Sequence, residues 1–189
     1  MTSSAQPAPG VRPADYLASE RAASEKHQLW QGEVFAMAGA SYVHNRIVAN
    51  LMVALHLALI ERACRALPSD MKVQVPSRHG FVYPDASIVC GPPHFYDAMA
   101  DVLTNPSSVF EVLSESTERF DRGEKFAGYR SIPSLRECVL ISQHEPRVEH
   151  YARRDDGTWV LREREGTGSV VLEVGGTLEL DSLYADTSA

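Results

Sequence analysis

Apolar residues recur at three- and four-residue steps in only one long segment of this chain. That segment covers residues 42–63, and Ser41 stands where an N-cap residue is expected, so we predict a long helix there. A shorter helix is predicted at residues 15–26, which begin with an acid and carry a partial apolar face. Apolar residues on both sides of Gly32 predict a hairpin or bent strand that turns at this glycine.

The chain after the long helix is divided into short runs of β character. Residues 66–75 and 81–90 predict strands, and Pro84 within the second run indicates a bulge or a sheet edge, because proline has no backbone N–H. The run SVFEVLS is apolar apart from one acid. A helix is expected at residues 121–130, with Asp121 as its N-cap in a variant of the capping box.

Four further apolar runs close the chain, separated by turn residues such as DDG and GTG. They are LRECVLIS, RVEHYAR, TWVLRER and SVVLEV, and their spacing predicts an antiparallel meander. The final LELDSLY predicts a strand that runs into a helical turn.

Length and composition indicate one globular domain. The 189 residues are 44% hydrophobic and 23% charged, close to the averages for globular proteins. Residues 1–13 are rich in Ser, Ala, Pro and Gly and predict a disordered tail, which leaves residues 14–189 as a single domain. The net charge of −7, from 18 basic and 25 acidic residues, excludes a free-standing electrostatic DNA binder.

The sequence offers no apolar run long enough for a signal peptide or a membrane span, which predicts a cytoplasmic protein. Its three cysteines, Cys64, Cys90 and Cys138, are odd in number and widely spaced. We therefore expect buried free thiols in a reducing compartment and not a disulfide framework. Histidine and glycine spacings exclude the zinc-protease, P-loop and serine-hydrolase motifs.

Two acids inside apolar runs are the first candidates for chemistry. Asp85 follows Pro84, and Glu111 lies within SVFEVLS, where an ionised carboxylate without a partner is costly. A salt bridge or a strand end that reaches solvent explains either acid alone. Two such acids on neighbouring strands would instead suit Mg²⁺. Lys125 is either a surface helix lysine or a group that reaches back to stabilise charge on a phosphate.

Several ordered motifs resemble one known family. The chain resembles the Uma-two family of restriction-endonuclease-like proteins from about residue 16 to residue 184. The motifs that carry the resemblance are PD at 84–85, EVLSEST at 111–117, DRGEKFAGYR at 121–130, S-L-x-E at 134–137, G-E-x-F-x-M-A-G-A-S-x-x-H-N-R-I at 32–47 and SDMKV at 69–73.

This resemblance implies a PD-(D/E)-x-K nuclease core of the α/β (mixed α+β) class. A central mixed β-sheet would be flanked by helices, with the antiparallel meander at the C-terminal end. Asp85 and Glu111 would be catalytic and hold Mg²⁺ or Mn²⁺. Leu113 occupies the position where the superfamily motif has lysine, so Lys125 is the expected catalytic substitute.

Other residues are candidates for supporting roles. His44 would orient a water or a phosphate, or cap a helix, and Glu33 would complete the metal shell or remain a turn acid. Asp70 would pair with Lys72 or shape the pocket, and Ser114 would hydrogen-bond beside Glu111. The basic residues proposed to contact substrate phosphate are Arg119 and Arg122.

The function expected from these residues is metal-dependent hydrolysis of DNA phosphodiester bonds by a homodimer with no membrane association. Pairing of subunits is expected because the superfamily cuts duplexes with paired sites and because the runs SVVLEV and RVEHYAR would leave an apolar sheet edge. Two alternatives stay open: a non-catalytic nucleic-acid-binding or dimerisation module, and another metal-dependent phosphoesterase. The sequence does not distinguish DNA from RNA as substrate.

Overall fold

The computed structural model describes residues 10–187, which form five α-helical segments and thirteen strands. The helical segments are α1 (Pro13–Glu20), α2 (Tyr42–Leu59), α3 (Glu118–Phe120), α4 (Phe126–Tyr129) and α5 (Leu180–Leu183), with a 3₁₀ turn at Pro76–Arg78 and a π-helical segment at Asp121–Lys125. The strands are β1 (His27–Trp30), β2 (Glu33–Ala36), β3 (Cys64–Pro68), β4 (Lys72–Val75), β5 (Gly80–Val82), β6 (Ala86–Cys90), β7 (Val102–Leu103), β8 (Ser108–Leu113), β9 (Glu137–Ser142), β10 (Arg147–Arg153), β11 (Trp159–Glu165), β12 (Ser169–Val171) and β13 (Thr177–Glu179).

These strands form two large sheets and one small one. The six-stranded sheet has the order β11-β10-β9-β8-β6-β3, and the five-stranded sheet has the order β2-β1-β5-β4-β7. Strands β8 and β9 are parallel and are joined by the helical residues 118–129, whereas β9, β10 and β11 form an antiparallel meander. The expected mixed sheet with flanking helices is confirmed.

The chain passes from one sheet to the other at the Pro84–Asp85 dipeptide. Strand β5 belongs to the five-stranded sheet and β6 to the six-stranded sheet, with Tyr83, Pro84 and Asp85 between them. Because Pro84 has no N–H to give to a ladder, it fits a point where pairing stops. The single strand expected at residues 81–90 is therefore two strands, and Asp85 lies at the crossing.

Helix α2 covers one face of the six-stranded sheet. It buries Ile47, Leu51 and Leu55 completely, and its Ser41 N-cap accepts a hydrogen bond from the backbone N–H of His44. Side chains alternate along a strand, so residues of β8 divide between two apolar clusters. Phe110 and Val112 pack with α2.

The opposite face of β8 carries Glu111 between two apolar neighbours. Val109 and Leu113 belong to the cluster that also contains Phe126 and Tyr129 from the helical crossover. Leu113, which occupies the lysine position of the superfamily motif, is only 2% exposed and is an ordinary core residue. The ionisable side chain of Glu111 therefore lies between apolar neighbours along the strand.

Several predicted boundaries differ from the structure. The helix expected at residues 15–26 ends at Glu20, and the one expected at residues 42–63 ends at Leu59, because β3 begins at Cys64. The meander has three strands instead of four, since SVVLEV forms β12 and pairs with β13. The strand RVEHYAR lies between two neighbours, so the apolar edge that favoured a dimer does not exist there.

The expectation of free thiols is wrong for two of the three cysteines. Cys64 and Cys90 face each other in the antiparallel pair β3–β6, with their Cα atoms 4.0 Å apart, and form a disulfide; Cys138 is free and buried. The pairing follows from strand register, which sequence spacing does not reveal.

The beginning of the predicted tail, residues 1–9, lies outside the described residues. Val11 N–H donates to the carbonyl oxygen of Gly32 (2.8 Å), so the last part of that tail packs on the β1–β2 hairpin. Within the span from residue 10 to residue 187, no helix is both long and apolar enough to cross a membrane.

Candidate active site

A buried lysine and a buried glutamate meet between β8 and the helical crossover. The Nζ atom of Lys125 lies 2.9 Å from Oε1 of Glu111, and the exposed side-chain fractions of the two residues are 6% and 5%. The same Oε1 atom accepts a hydrogen bond of 2.6 Å from the hydroxyl of Tyr129, one turn further along the helix. Lys125 is therefore not a solvated surface lysine.

Asp85 approaches this pair from the crossing between the two sheets. Its Oδ2 atom accepts a hydrogen bond of 2.7 Å from the backbone N–H of Val112, which fixes the carboxylate next to Glu111 across the β6–β8 ladder. His44 Nε2 lies 3.4 Å from the same oxygen. The capped start of α2 thus brings His44 to Asp85, which agrees with an orienting role better than with capping.

Asp121 is a member of this cluster that the sequence interpretation missed. It was expected to be an N-cap, but the helix begins three residues earlier at Glu118, and the Asp121 side chain is 4% exposed with Oδ1 3.3 Å from Lys125 Nζ. A residue inside a helix has no free N–H groups to cap. The spacing of Asp121 and Lys125, four residues apart in one helix, is the signal that could have identified the pair.

Burial and neighbouring charges shift the proton affinities of the cluster. Burial raises the pKa of Glu111 to about 8; Lys125 and Tyr129 oppose this shift, while Asp121 and Asp85 add to it. Burial alone would lower the pKa of the Lys125 ammonium, but the adjacent Glu111 and Asp121 carboxyl groups raise it.

The pKa of the His44 imidazole is also raised. Burial opposes the charge on His44, but the hydrogen bond and the charge of Asp85 outweigh it. A positive charge on this ring is therefore favoured by the same carboxylate that the Val112 N–H holds in place.

The donor set fits a hard divalent cation with few protein ligands. Among residues 10–187, no three His, Cys, Asp or Glu side chains are grouped as a metal site. Glu111 and Asp85 nevertheless each keep one carboxylate oxygen, Oε2 and Oδ1, with no hydrogen-bond partner in the described part of the chain. Mg²⁺ is commonly bound by one or two carboxylates together with waters and substrate phosphates.

The two arginines expected to contact phosphate differ in their surroundings. Arg122 donates to Glu149 (2.6 Å from its Nη2) and forms an ion pair with Glu118, so it is engaged by two carboxylates. A phosphate would have to compete with both carboxylates for Arg122, and the expectation that Arg122 contacts phosphate stays a prediction. Arg119 is exposed on the same helical segment, with no ion pair to any residue that the structure describes.

Three of the four supporting residues lie away from the charged cluster. Asp70 is exposed and pairs with Lys26 instead of Lys72, whose ammonium lies 3.0 Å from Asp101. Glu33 is exposed on strand β2, at the edge of the five-stranded sheet, which is consistent with a turn acid. Ser114 hydrogen-bonds the hydroxyls of Ser116 and Thr117, and within residues 10–187 it makes no hydrogen bond to Glu111.

Two known proteins match most of this sequence. The chain is 40% identical over 158 residues to the uncharacterized protein sll1609 of Synechocystis sp. The aligned region covers 84% of this chain and 89% of that protein. It is 32% identical over 179 residues to the uncharacterized protein slr1290 of the same organism, covering 94% and 93% of the two chains.

A solved structure shares the architecture at low sequence identity. The crystal structure of a "putative nuclease belonging to DUF820" from Anabaena variabilis ATCC 29413 superimposes with a TM-score of 0.74 at 14% identity, over 94% of this chain and 99% of that one. The model of the Uma2 family, described as "Putative restriction endonuclease", matches residues 13–181. The chain therefore belongs to the Uma2 family.

Proposed function

We propose that this protein is a Mg²⁺- or Mn²⁺-dependent endonuclease that hydrolyses DNA phosphodiester bonds at the cluster of Asp85, Glu111 and Lys125. One observation carries the proposal: three ionisable side chains from a sheet crossing, a strand and a helix converge, with Glu111 and Lys125 buried and Asp85 partly exposed. Burying such charges costs stability, and a purely structural module gains little from it. Functional sites are where such costs are commonly tolerated.

Each member of the cluster has a separate task in this proposal. Asp85 and Glu111 would hold the cation, and Asp85 is already oriented by the Val112 N–H. The bound cation would supply Lewis acidity at the phosphate and favour ionisation of water. Lys125, kept charged by its carboxyl neighbours, would neutralise negative charge that develops on the phosphate.

His44 would act on the carboxylate and on the solvent beside it. Its Nε2 atom lies 3.4 Å from Asp85 Oδ2 and would help to orient that carboxylate. Arg119 is the remaining candidate for a phosphate contact. With a net charge of −7, general attraction to DNA is weak, so binding would rely on the cation and on such local contacts.

Subunit pairing and location belong to the same proposal. A homodimer would bring two sites to the two strands of a duplex, and a light-scattering mass at micromolar concentration tests it. A cytoplasmic location suits a nuclease that acts on cellular DNA. The cysteine argument for that location no longer supports it, because Cys64 and Cys90 form a disulfide.

Cleavage of supercoiled plasmid tests the proposal most directly. Wild type should nick or linearise plasmid with Mg²⁺ or Mn²⁺ and should be inactive with EDTA. Asp85→Asn, Glu111→Gln and Lys125→Met should each lose a hundredfold or more of the rate, as removal of one charged group from a preorganised site does. Glu115→Gln, a change of an exposed acid near Glu111 in sequence, is the matched control and should cut as wild type does.

The same assay separates the alternatives. A parallel incubation with RNA distinguishes the substrate class. Wild type that binds Mn²⁺ but cuts no nucleic acid would favour the non-catalytic module or another phosphoesterase. Equal activity of Lys125→Met and wild type would remove the lysine from the mechanism.

A further inference from the structure

Lys125 has two acidic partners, although one would satisfy an ion pair. Its ammonium lies 2.9 Å from Glu111 and 3.3 Å from Asp121, and all three side chains are at most 6% exposed. A second buried carboxyl adds desolvation cost and repels the first. Asp121 is therefore a second partner that can hold Lys125 independently of Glu111.

The two partners hold Lys125 in different ways. Glu111 belongs to β8 and reaches the lysine across the interface between sheet and helix. Asp121 lies four residues before Lys125 in the same helix, so this contact is set by helix geometry and does not depend on the strand. The two residues begin and end a π-helical segment, a wide turn that is often found at functional sites.

A divalent cation at Glu111 competes with Lys125 for the same carboxylate. Lys125 and Tyr129 both face Oε1 of Glu111, which leaves Oε2 for a cation. A cation at Oε2 would attract the same negative charge as Lys125 does and would therefore weaken the lysine contact. Without a second acid, Lys125 would either keep Glu111 from the cation or remain buried without a partner. Both outcomes are costly.

We propose that Asp121 is a positioning residue that retains the Lys125 ammonium at the site when Glu111 binds a divalent cation. This inference rests on the proposed function, which makes Glu111 a cation ligand. Asp121 does not contact substrate in this scheme. It acts through Lys125, and its effect should therefore disappear when Lys125 is absent.

The first test follows the lysine itself without metal or nucleic acid. The chain has three lysines, so selective labelling of lysine side chains gives three NMR signals. A buried, hydrogen-bonded ammonium exchanges slowly with water and is observed separately from an exposed one. Lys72, paired with Asp101 at 3.0 Å, provides a second buried signal as a reference for correct folding, and Lys125→Met assigns the remaining one.

Glu111→Gln imitates withdrawal of Glu111 from the pair. The Lys125 signal should persist in Glu111→Gln and be lost in Glu111→Gln with Asp121→Asn, while the Lys72 signal stays unchanged in both. Loss of the Lys125 signal in Glu111→Gln alone would overturn the proposal. An unchanged signal in the double variant would overturn it as well.

The second test measures Mn²⁺ affinity by calorimetry in a double-mutant cycle. Asp121→Asn should weaken Mn²⁺ binding about tenfold when Lys125 is present and less than about threefold in Lys125→Met, within the coupling range of neighbouring residues. Asp121→Glu should recover part of the affinity. An equal loss in both backgrounds would mean that Asp121 acts by its charge on the cation, contrary to the proposal. Wild type that binds no Mn²⁺ would contradict the proposed function, while the NMR result would still decide the role of Asp121.

Discussion

The pH dependence of stability offers a sharp test of the buried Glu111 carboxyl. Burial raises the pKa of this group to about 8 in the folded chain, from an ordinary value of 4.5. Between these two values the unfolded chain has lost the proton while the folded chain keeps it. The unfolded state therefore binds fewer protons, and the free energy of unfolding must fall as the pH rises from about 4.5 to 8 and then level off.

The size of this effect follows from the shift. A difference of roughly 3.5 units at about 1.4 kcal/mol per unit sets a ceiling of about 5 kcal/mol on the loss of stability between pH 4.5 and pH 8. Glu111→Gln cannot ionise, so this variant should lack that loss. At pH 8 in EDTA it should be at least as stable as wild type.

Urea unfolding at pH 5 and pH 8 measures this difference in the free energy of unfolding. Trp30 serves as the fluorescence probe, because it belongs to the same apolar cluster as Val109 and Leu113, which flank Glu111 on β8. Glu115→Gln is the control, because Glu115 is exposed and should follow the wild-type pH dependence. The reasoning fails if Glu111→Gln and wild type lose stability in parallel between pH 5 and pH 8.

A related expectation concerns metal affinity. Because Mn²⁺ must displace the Glu111 proton, the affinity of the protein for Mn²⁺ should increase by up to about tenfold per pH unit between pH 6 and pH 8 and level off above pH 8.

Three further predictions concern packing and covalent structure. Replacing Cys64 and Cys90 by serine removes a disulfide between residues 26 apart in sequence, and it should lower the free energy of unfolding in urea by about 3.5 kcal/mol. A decrease below about 1 kcal/mol would contradict the disulfide. Leu113→Lys places an unpaired charge at a core position that is 2% exposed, and it should lower the free energy of unfolding by about 3–5 kcal/mol. If this variant is as stable as wild type in urea unfolding, residue 113 is not part of the core. In Gly128→Ala the new Cβ would lie 2.5 Å from Cη2 of Trp30, which should lower stability by about 1–3 kcal/mol in a thermal melt; an unchanged melting temperature would refute this close approach.

Local patterns in the sequence determined several elements of the fold. The helical spacing after Ser41, the turn at Gly32 and the apolar run around Glu111 each predicted an element that the structure contains, because a cap, a turn residue and side-chain periodicity act within a few residues. The family resemblance added the expectation that Asp85 and Glu111 lie together. The contact between Asp85 and the Val112 N–H is consistent with it.

Tertiary structure alone decided the partners of the charged residues. Asp121 was predicted to cap a helix and instead faces Lys125, while Arg122 is held by Glu149 on a distant strand. The disulfide and the separation of β12 from the meander have the same origin. Each of them depends on strand register and on which elements pack together, and these are set by burial of the whole core and by no local signal in the chain.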